Sequence, residues 1–315
     1  MEIYGYTDQE LEALEYYTSR KEREFLKTEL DYKNVNAFLR FLSIKDLKEC
    51  EEPLDRMSTE IMGVEGVKEV MGSVEALYSL ACKYGTTHTI PEVIYRGDDN
   101  ASRMLKNKQK IGNDVNYSWE TDSFLSCTKS EGEIQNFLHS GKGVAITIMP
   151  ESKSRNERRM PFIDVNDLLG SNQDFGDEKE IIVMPFLSME VISTSYGNKI
   201  PGARTNYLTF LSAESCAPES NKDKPSEYSD EDLEKLLELA KRYKAGDDST
   251  EVVEDLNRYR TKVRTCLQMK LMSIYKKIMP ERGQTFADKL HLEILNASGI
   301  GTAEHDDRND VGEER

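Results

Sequence analysis

Two carboxylates, Glu178 and Glu180, flank Lys179 at the start of an apolar run, Ile181-Ile182-Val183-Met184, that Pro185 ends. In an extended strand alternate side chains share a face, so this spacing turns both carboxylates the same way at the strand's mouth and points Lys179 away. A same-face carboxylate pair suits polar chemistry, although glutamates at a strand start are also ordinary solvated surface. Upstream, Tyr95-Arg96-Gly97 ends a β-branched stretch. It places a guanidinium, whose planar fork binds phosphate bidentately, beside a residue with no Cβ. Between the two lies Phe124-Leu125-Ser126-Cys127-Thr128, with hydroxyls at Ser126 and Thr128.

The elements that must hold these residues follow from periodicity and punctuation. Residues 1–88 read as a helical lobe. Thr7 and Glu10 make a capping box ahead of Leu11, Leu14 and Phe25. Further helices run over 35–42 and through Val67, Val70, Val74, Leu77 and Ala81, with Gly85 as a stop signal. Residues 87–97 then read as the first of about six short strands that, with few helices, run to residue 211. Such a pattern is α+β rather than a regular βαβ alternation.

A Pro/Ser/Asn/Lys-rich stretch after Cys216 reads as a linker. Ser229 caps a helix carrying Leu233, Leu236, Leu237 and Ala240, with Gly246 beyond its end. A longer helix with Val252, Leu256, Val263, Leu267 and Leu271 on one face stops at Pro280, and a last one carries Phe286, Leu290 and Ile294. The division expected is a helical lobe (1–88), a core (89–218), a linker (219–229), a C-terminal helical region (230–300) and a disordered acidic tail (301–315).

A chain of 315 residues with a formal charge of −16 has room for a sizeable core. That charge argues against general nucleic-acid or anionic-membrane binding, both driven by basic residues, and favours a partner with a basic face. The five cysteines are scattered and form no metal-like cluster with the four histidines, so they read as reduced thiols and no metal is expected. No basic and apolar leader opens the chain, and no run of about 18 apolar residues occurs. A cytoplasmic protein is expected.

The order and context of the three segments resemble the Arg, Ser-Thr-Ser, Glu-x-Glu signature of the mono-ADP-ribosyltransferases, in the branch that includes cholera toxin. The resemblance covers roughly residues 90–215, where the glycine-led strand 143–149 and Phe162-Ile163 look like that fold's core. It implies a split β-sheet that binds NAD as co-substrate, flanked by helical regions. Arg96 would hold the pyrophosphate and Gly97 would let backbone approach the nicotinamide amide. Ser126 would hold the nicotinamide ribose or orient the catalytic glutamate, and Thr128, which keeps a hydroxyl, would stand among the NAD-binding residues. Glu180 would bond the ribose 2′-OH and stabilise positive charge as nicotinamide leaves. Glu178 would contact the incoming nucleophile and help remove its proton.

Within the family, glutamate at the position of Glu178 goes with arginine acceptors and glutamine with asparagine or cysteine-type acceptors. The implied activity is therefore transfer of ADP-ribose to an arginine of a protein, with the loop 170–177 and Phe175 helping to select the target. Cys127 and Thr128 depart from the usual Thr and Ser of the middle motif. The diphtheria-toxin-like branch, with His and Tyr in place of Arg and Ser, finds no matching arrangement at His88. Two other readings stay open: an NAD glycohydrolase whose acceptor is water, and a non-catalytic protein that binds a partner through its helical regions. The family includes many bacterial toxins and effectors, so delivery into a host cell by a specialised secretion system is compatible with the resemblance.

Overall fold

The computed structural model describes residues 5–18, 32–44, 47–57, 63–98, 108–111, 114–134, 138, 143–150, 160–170, 179–196, 203–215 and 227–279. Residues 1–278 form one compact unit and 279–315 a second, of which only Met279 is described. The expected helix through Phe286 and Ile294 and the expected acidic tail lie outside the described residues.

Helix α1 (Asp8–Thr18) begins at the anticipated capping box. Thr7 N donates to Glu10 Oε2 at 2.8 Å and Glu10 N to Thr7 Oγ1 at 3.2 Å. Glu10 also accepts from Ser79 Oγ at 2.6 Å and Lys83 Nζ at 2.8 Å, which fastens α1 to α4 (Val64–Thr87). Between them run α2 (Tyr32–Ser43) and the short α3 (Glu51–Arg56). Val67, Val70, Val74, Leu77 and Ala81, the expected stripe of α4, are all fully buried. Each large apolar side chain so buried contributes about 1.5–3 kcal/mol.

Gly85 does not stop α4, which continues to Thr87. A Cβ at Gly85 would stand 2.2 Å from the carbonyl oxygen of Met160, so glycine is there because helix and chain meet backbone to backbone. The expected strand start at Thr87 is likewise corrected: Thr87 Oγ1 donates to Tyr84 O at 3.2 Å inside the last helical turn. The strand itself, β1, is Ile94–Asp98.

Nine strands, rather than about six, form one sheet among the described residues. After β1 come β2 (Lys108–Ile111), β3 (Asp114–Glu120), β4 (Leu125–Thr128), β5 (Gly143–Pro150), β6 (Phe162–Asp164), β7 (Glu180–Val183), β8 (Leu187–Tyr196) and β9 (Ala203–Ser215). Their order across the sheet is β2-β3-β8-β9-β5-β1-β4-β7-β6, and only β5 with β9 is parallel. The chain is thus α+β. The short α5 (Val165–Leu169) follows β6.

Beyond the sheet, α6 (Asp230–Lys244) starts at a Ser229 capping box whose third residue is Asp232, and α7 (Thr250–Ile278) follows. All four apolar positions expected of α6 are buried. Helix α7 lies against α2, α4 and α6, so the C-terminal helices pack with the N-terminal ones. Arg260 of α7, 2% exposed, donates from Nε to the Phe41 carbonyl at 2.6 Å and from Nη2 to that of Ile44, at the C-terminal end of α2. A cation suits carbonyls left without partners at a helix C-terminus.

Candidate active site

Strand β7 forms because Ile181, Ile182 and Val183, all fully buried, lie between β4 and β6. Its first residue, Glu180, is half-buried at the strand's mouth. The chain enters it through Lys179 at φ +48°, a left-handed conformation that a residue with a Cβ adopts at a cost of about 1–2 kcal/mol. Lys129 N donates to the Lys179 carbonyl at 3.3 Å and secures this turn.

The β4–β7 register pairs Thr128 with Glu180 and Ser126 with Ile182, which makes Ser126 the diagonal neighbour of Glu180 on one face. Ser126 Oγ donates to Glu180 Oε1 at 2.5 Å, the short length of a charge-assisted bond. Thr128 is 2% exposed, and its Oγ1 accepts from Ser130 N at 3.1 Å, a turn-stabilising contact.

Arg96 joins this pair from β1. The β1–β5 ladder runs for five residue pairs, whereas β1 meets β4 in register only at Tyr95 and Thr128. Arg96 Nη1 donates to the Ser126 carbonyl at 2.8 Å, and Nη2 stands 3.5 Å from Asp98 Oδ2. The guanidinium thus bonds a backbone oxygen where the ladder has stopped, and it remains 18% exposed. Gly97 is extended in β1 opposite Ala145.

Charges at Arg96 and Glu180 act on the same two buried groups. Burial pushes the Cys127 thiol up to about 12, with Arg96 pulling it down and Glu180 adding to the rise. Burial also raises the Tyr17 phenol, opposed by its hydrogen bond from Asn36, and Glu180 and Arg96 act on it in opposite senses. Ser126 links the two charges, its hydroxyl bonded to the Glu180 carboxylate and its backbone carbonyl to the Arg96 guanidinium. Glu178 and Phe175, and the basic loop at Arg155, Arg158 and Arg159, lie outside the described residues.

The helical lobe also holds this region, through residues that belong to none of the three motifs. Asn36 Nδ2 donates to Tyr17 Oη at 3.0 Å, while Phe124 N donates to Asn36 Oδ1 at 3.0 Å. The Tyr17 ring meets that of Phe124 edge-on, with centroids 5.2 Å apart. Arg40 Nε donates to Ser123 Oγ at 3.3 Å. The available signal was a polar Asn36 inside the apolar run of α2, beside Val35, Phe38 and Leu39. Among the described residues, no group of three or more His, Cys, Asp or Glu is placed to hold a metal ion, and no helix is long and apolar enough to cross a membrane. Cys50, Cys82, Cys127 and Cys266 are buried thiols.

No protein-family profile matches the chain, and no curated protein matches it by sequence. Several of the solved structures it resembles are ADP-ribosyltransferases. An ADP-ribosyltransferase from Clostridium botulinum matches with a TM-score of 0.38 and 10% identity, over 66% of this chain and 89% of that one. The C3 exoenzyme of Clostridium limosum gives 0.38 and 11%, over 66% and 87%. HopU1 of Pseudomonas syringae pv. tomato DC3000 gives 0.32 and 11%, over 44% of this chain. The match spans about half of HopU1, 53% of its length. At these scores and identities the reading of the site rests on its own residues.

Proposed function

We propose that this chain is a mono-ADP-ribosyltransferase that transfers ADP-ribose from NAD to an arginine of a target protein and releases nicotinamide. The observation that carries the reading is the Ser126–Glu180 bond of 2.5 Å beside an Arg96 guanidinium that also grips the Ser126 carbonyl. The three segments singled out by residue type are 30 and 54 positions apart along the chain, yet they meet at one strand opening.

The donor set fits NAD chemically. Arg96, partly open, supplies the planar cation for a pyrophosphate. Glu180 is a carboxylate oriented by a hydroxyl, able to accept from a ribose 2′-OH and to stabilise positive charge at the ribose as the nicotinamide bond weakens. Ser126 holds that carboxylate in place. Gly97 carries no side chain to obstruct the nicotinamide amide. Glu178 contacts the arginine acceptor and takes its proton, since a guanidinium is a poor nucleophile until it loses one. Phe175 and the loop around it contribute to target choice. Residues 89–218 form the NAD-binding core with a split sheet in this reading, residues 1–88 and 230–300 are the helical regions, and the acidic chain meets a basic face of its target.

The test is direct. Purified protein with isotope-labelled NAD and cell extract should label a protein at arginine, as read by mass spectrometry, and should release nicotinamide slowly without a target. Glu178→Gln should lose transfer and keep NAD cleavage. Equal loss of both would remove the division of labour between the two glutamates. Nicotinamide release with no labelled protein would instead favour water as the acceptor.

A further inference from the structure

We propose that Asn36 is a positioning residue for the reaction: from the interior of α2 it holds the entry to β4 where Ser126 can reach Glu180. The proposal rests on the transferase reading, but one arm of its test does not depend on activity.

Asn36 is 8% exposed on the buried face of a helix, where asparagine is among the less favourable residues. Its amide is occupied at both ends, by the Tyr17 phenol oxygen and by the Phe124 backbone N–H. Phe124 stands two residues before Ser126. One turn further along α2, Arg40 bonds Ser123 Oγ and lies 3.9 Å from Asp122, so positions 36 and 40 grip the consecutive residues 122–124. The far end of α2 is itself held by Arg260 of α7. A continuous series of fixed groups therefore runs from α7 through α2 to the strand that carries Ser126.

This matters because β4 is only four residues long and meets β1 at a single pair. Its register with β7 sets Ser126 along the strand. That register opens at Leu125, and the Asn36 bond to the Phe124 N–H fixes the chain just before it, where β4 begins. A displacement of about 1 Å in a catalytic group lowers turnover by about 100-fold.

Full-length Asn36→Ala, Asn36→Asp and the distant helix-cap variant Asp232→Ala are compared with wild type. The measurements are kcat and KM for NAD cleavage, melting temperature, and amide hydrogen exchange over 124–128. In Asn36→Ala we expect kcat to fall about 10- to 100-fold with KM nearly unchanged. We expect faster exchange at Phe124 while β5 keeps its protection. Asn36→Asp keeps an oxygen for the Phe124 N–H and should recover most of kcat. Asp232→Ala should lower the melting temperature and leave kcat alone. Unchanged kcat, or unchanged exchange at Phe124, in Asn36→Ala overturns the proposal. A wild type that does not cleave NAD refutes the transferase reading instead, and Asn36 is then judged by exchange alone. Should Asn36→Ala fail to fold, Tyr17→Phe removes only the oxygen that orients the amide, and a smaller change in the same direction is expected.

Discussion

Ser126 and Glu180 are joined by a 2.5 Å hydrogen bond although neither is the other's register partner: Glu180 faces Thr128 across the ladder and Ser126 faces Ile182. The bond is diagonal, and it fixes the orientation of the Glu180 carboxylate at the strand's mouth. Glu180→Gln keeps the shape and removes the charge, so NAD cleavage should drop by about 100- to 1,000-fold with the melting temperature almost unchanged. Ser126→Ala removes one hydrogen bond to a charged group and should cost about 10-fold or more in kcat. Nicotinamide release under saturating NAD measures both, and wild-type turnover in Glu180→Gln would discard the site.

Arg96→Lys retains the charge and loses the fork. The ammonium cannot bond the Ser126 carbonyl and present a flat pair of donors to a pyrophosphate at once. We expect KM for NAD to rise about 10-fold, with a smaller change in kcat, from initial rates over a range of NAD concentrations. A change confined to kcat would show that Arg96 does not serve substrate binding.

Two glycines of α4 should respond oppositely to alanine. At Gly85 the new Cβ would meet the Met160 carbonyl oxygen at 2.2 Å, whereas at Gly72 nothing lies within 4 Å. Gly85→Ala should destabilise by about 1–3 kcal/mol through forced backbone shifts. Gly72→Ala should stabilise by about 0.5–1 kcal/mol through helix propensity. Denaturant unfolding of both variants provides the comparison.

Acid should loosen α1 from α4 first at Glu10. Burial pushes this carboxyl up, but hydrogen bonds from Lys83, Ser79 and Thr7 outweigh burial and hold it below the ordinary glutamate value. A pKa lower in the folded chain than in the unfolded one gives stability that is fully present above the unfolded value, about 4.3. That stability fades as pH falls through the folded value. The melting-temperature gap between wild type and Glu10→Gln should therefore be flat above about pH 5 and close below it. Lys83 is 27% exposed, and solvent screening keeps the plateau small, at about 1–3 kcal/mol. A gap that widens in acid would contradict this assignment.

What the sequence determined by itself was whatever depends on near neighbours. The Thr7–Glu10 and Ser229 caps, the buried stripes of α4 and α6, and the strand after Glu180 were legible because a cap spans three residues and a stripe repeats every three or four. Arg96, Ser126 and Glu180 were legible as residue types in order, from their context and a resemblance. Their contact was not, because a bond across 54 positions depends on a register that local pattern does not encode. Gly85 shows the same limit: a glycine near a helix end reads as a stop, and only the approach of Met160 reveals it as a packing residue. Arg260 and Asn36 show it more sharply. Each interrupts an apolar face and looks out of place until the partner arrives from a remote element, the α2 carbonyls for one and the Phe124 N–H for the other. Tertiary structure decided these pairings because a buried polar group must find its partner wherever the fold brings one.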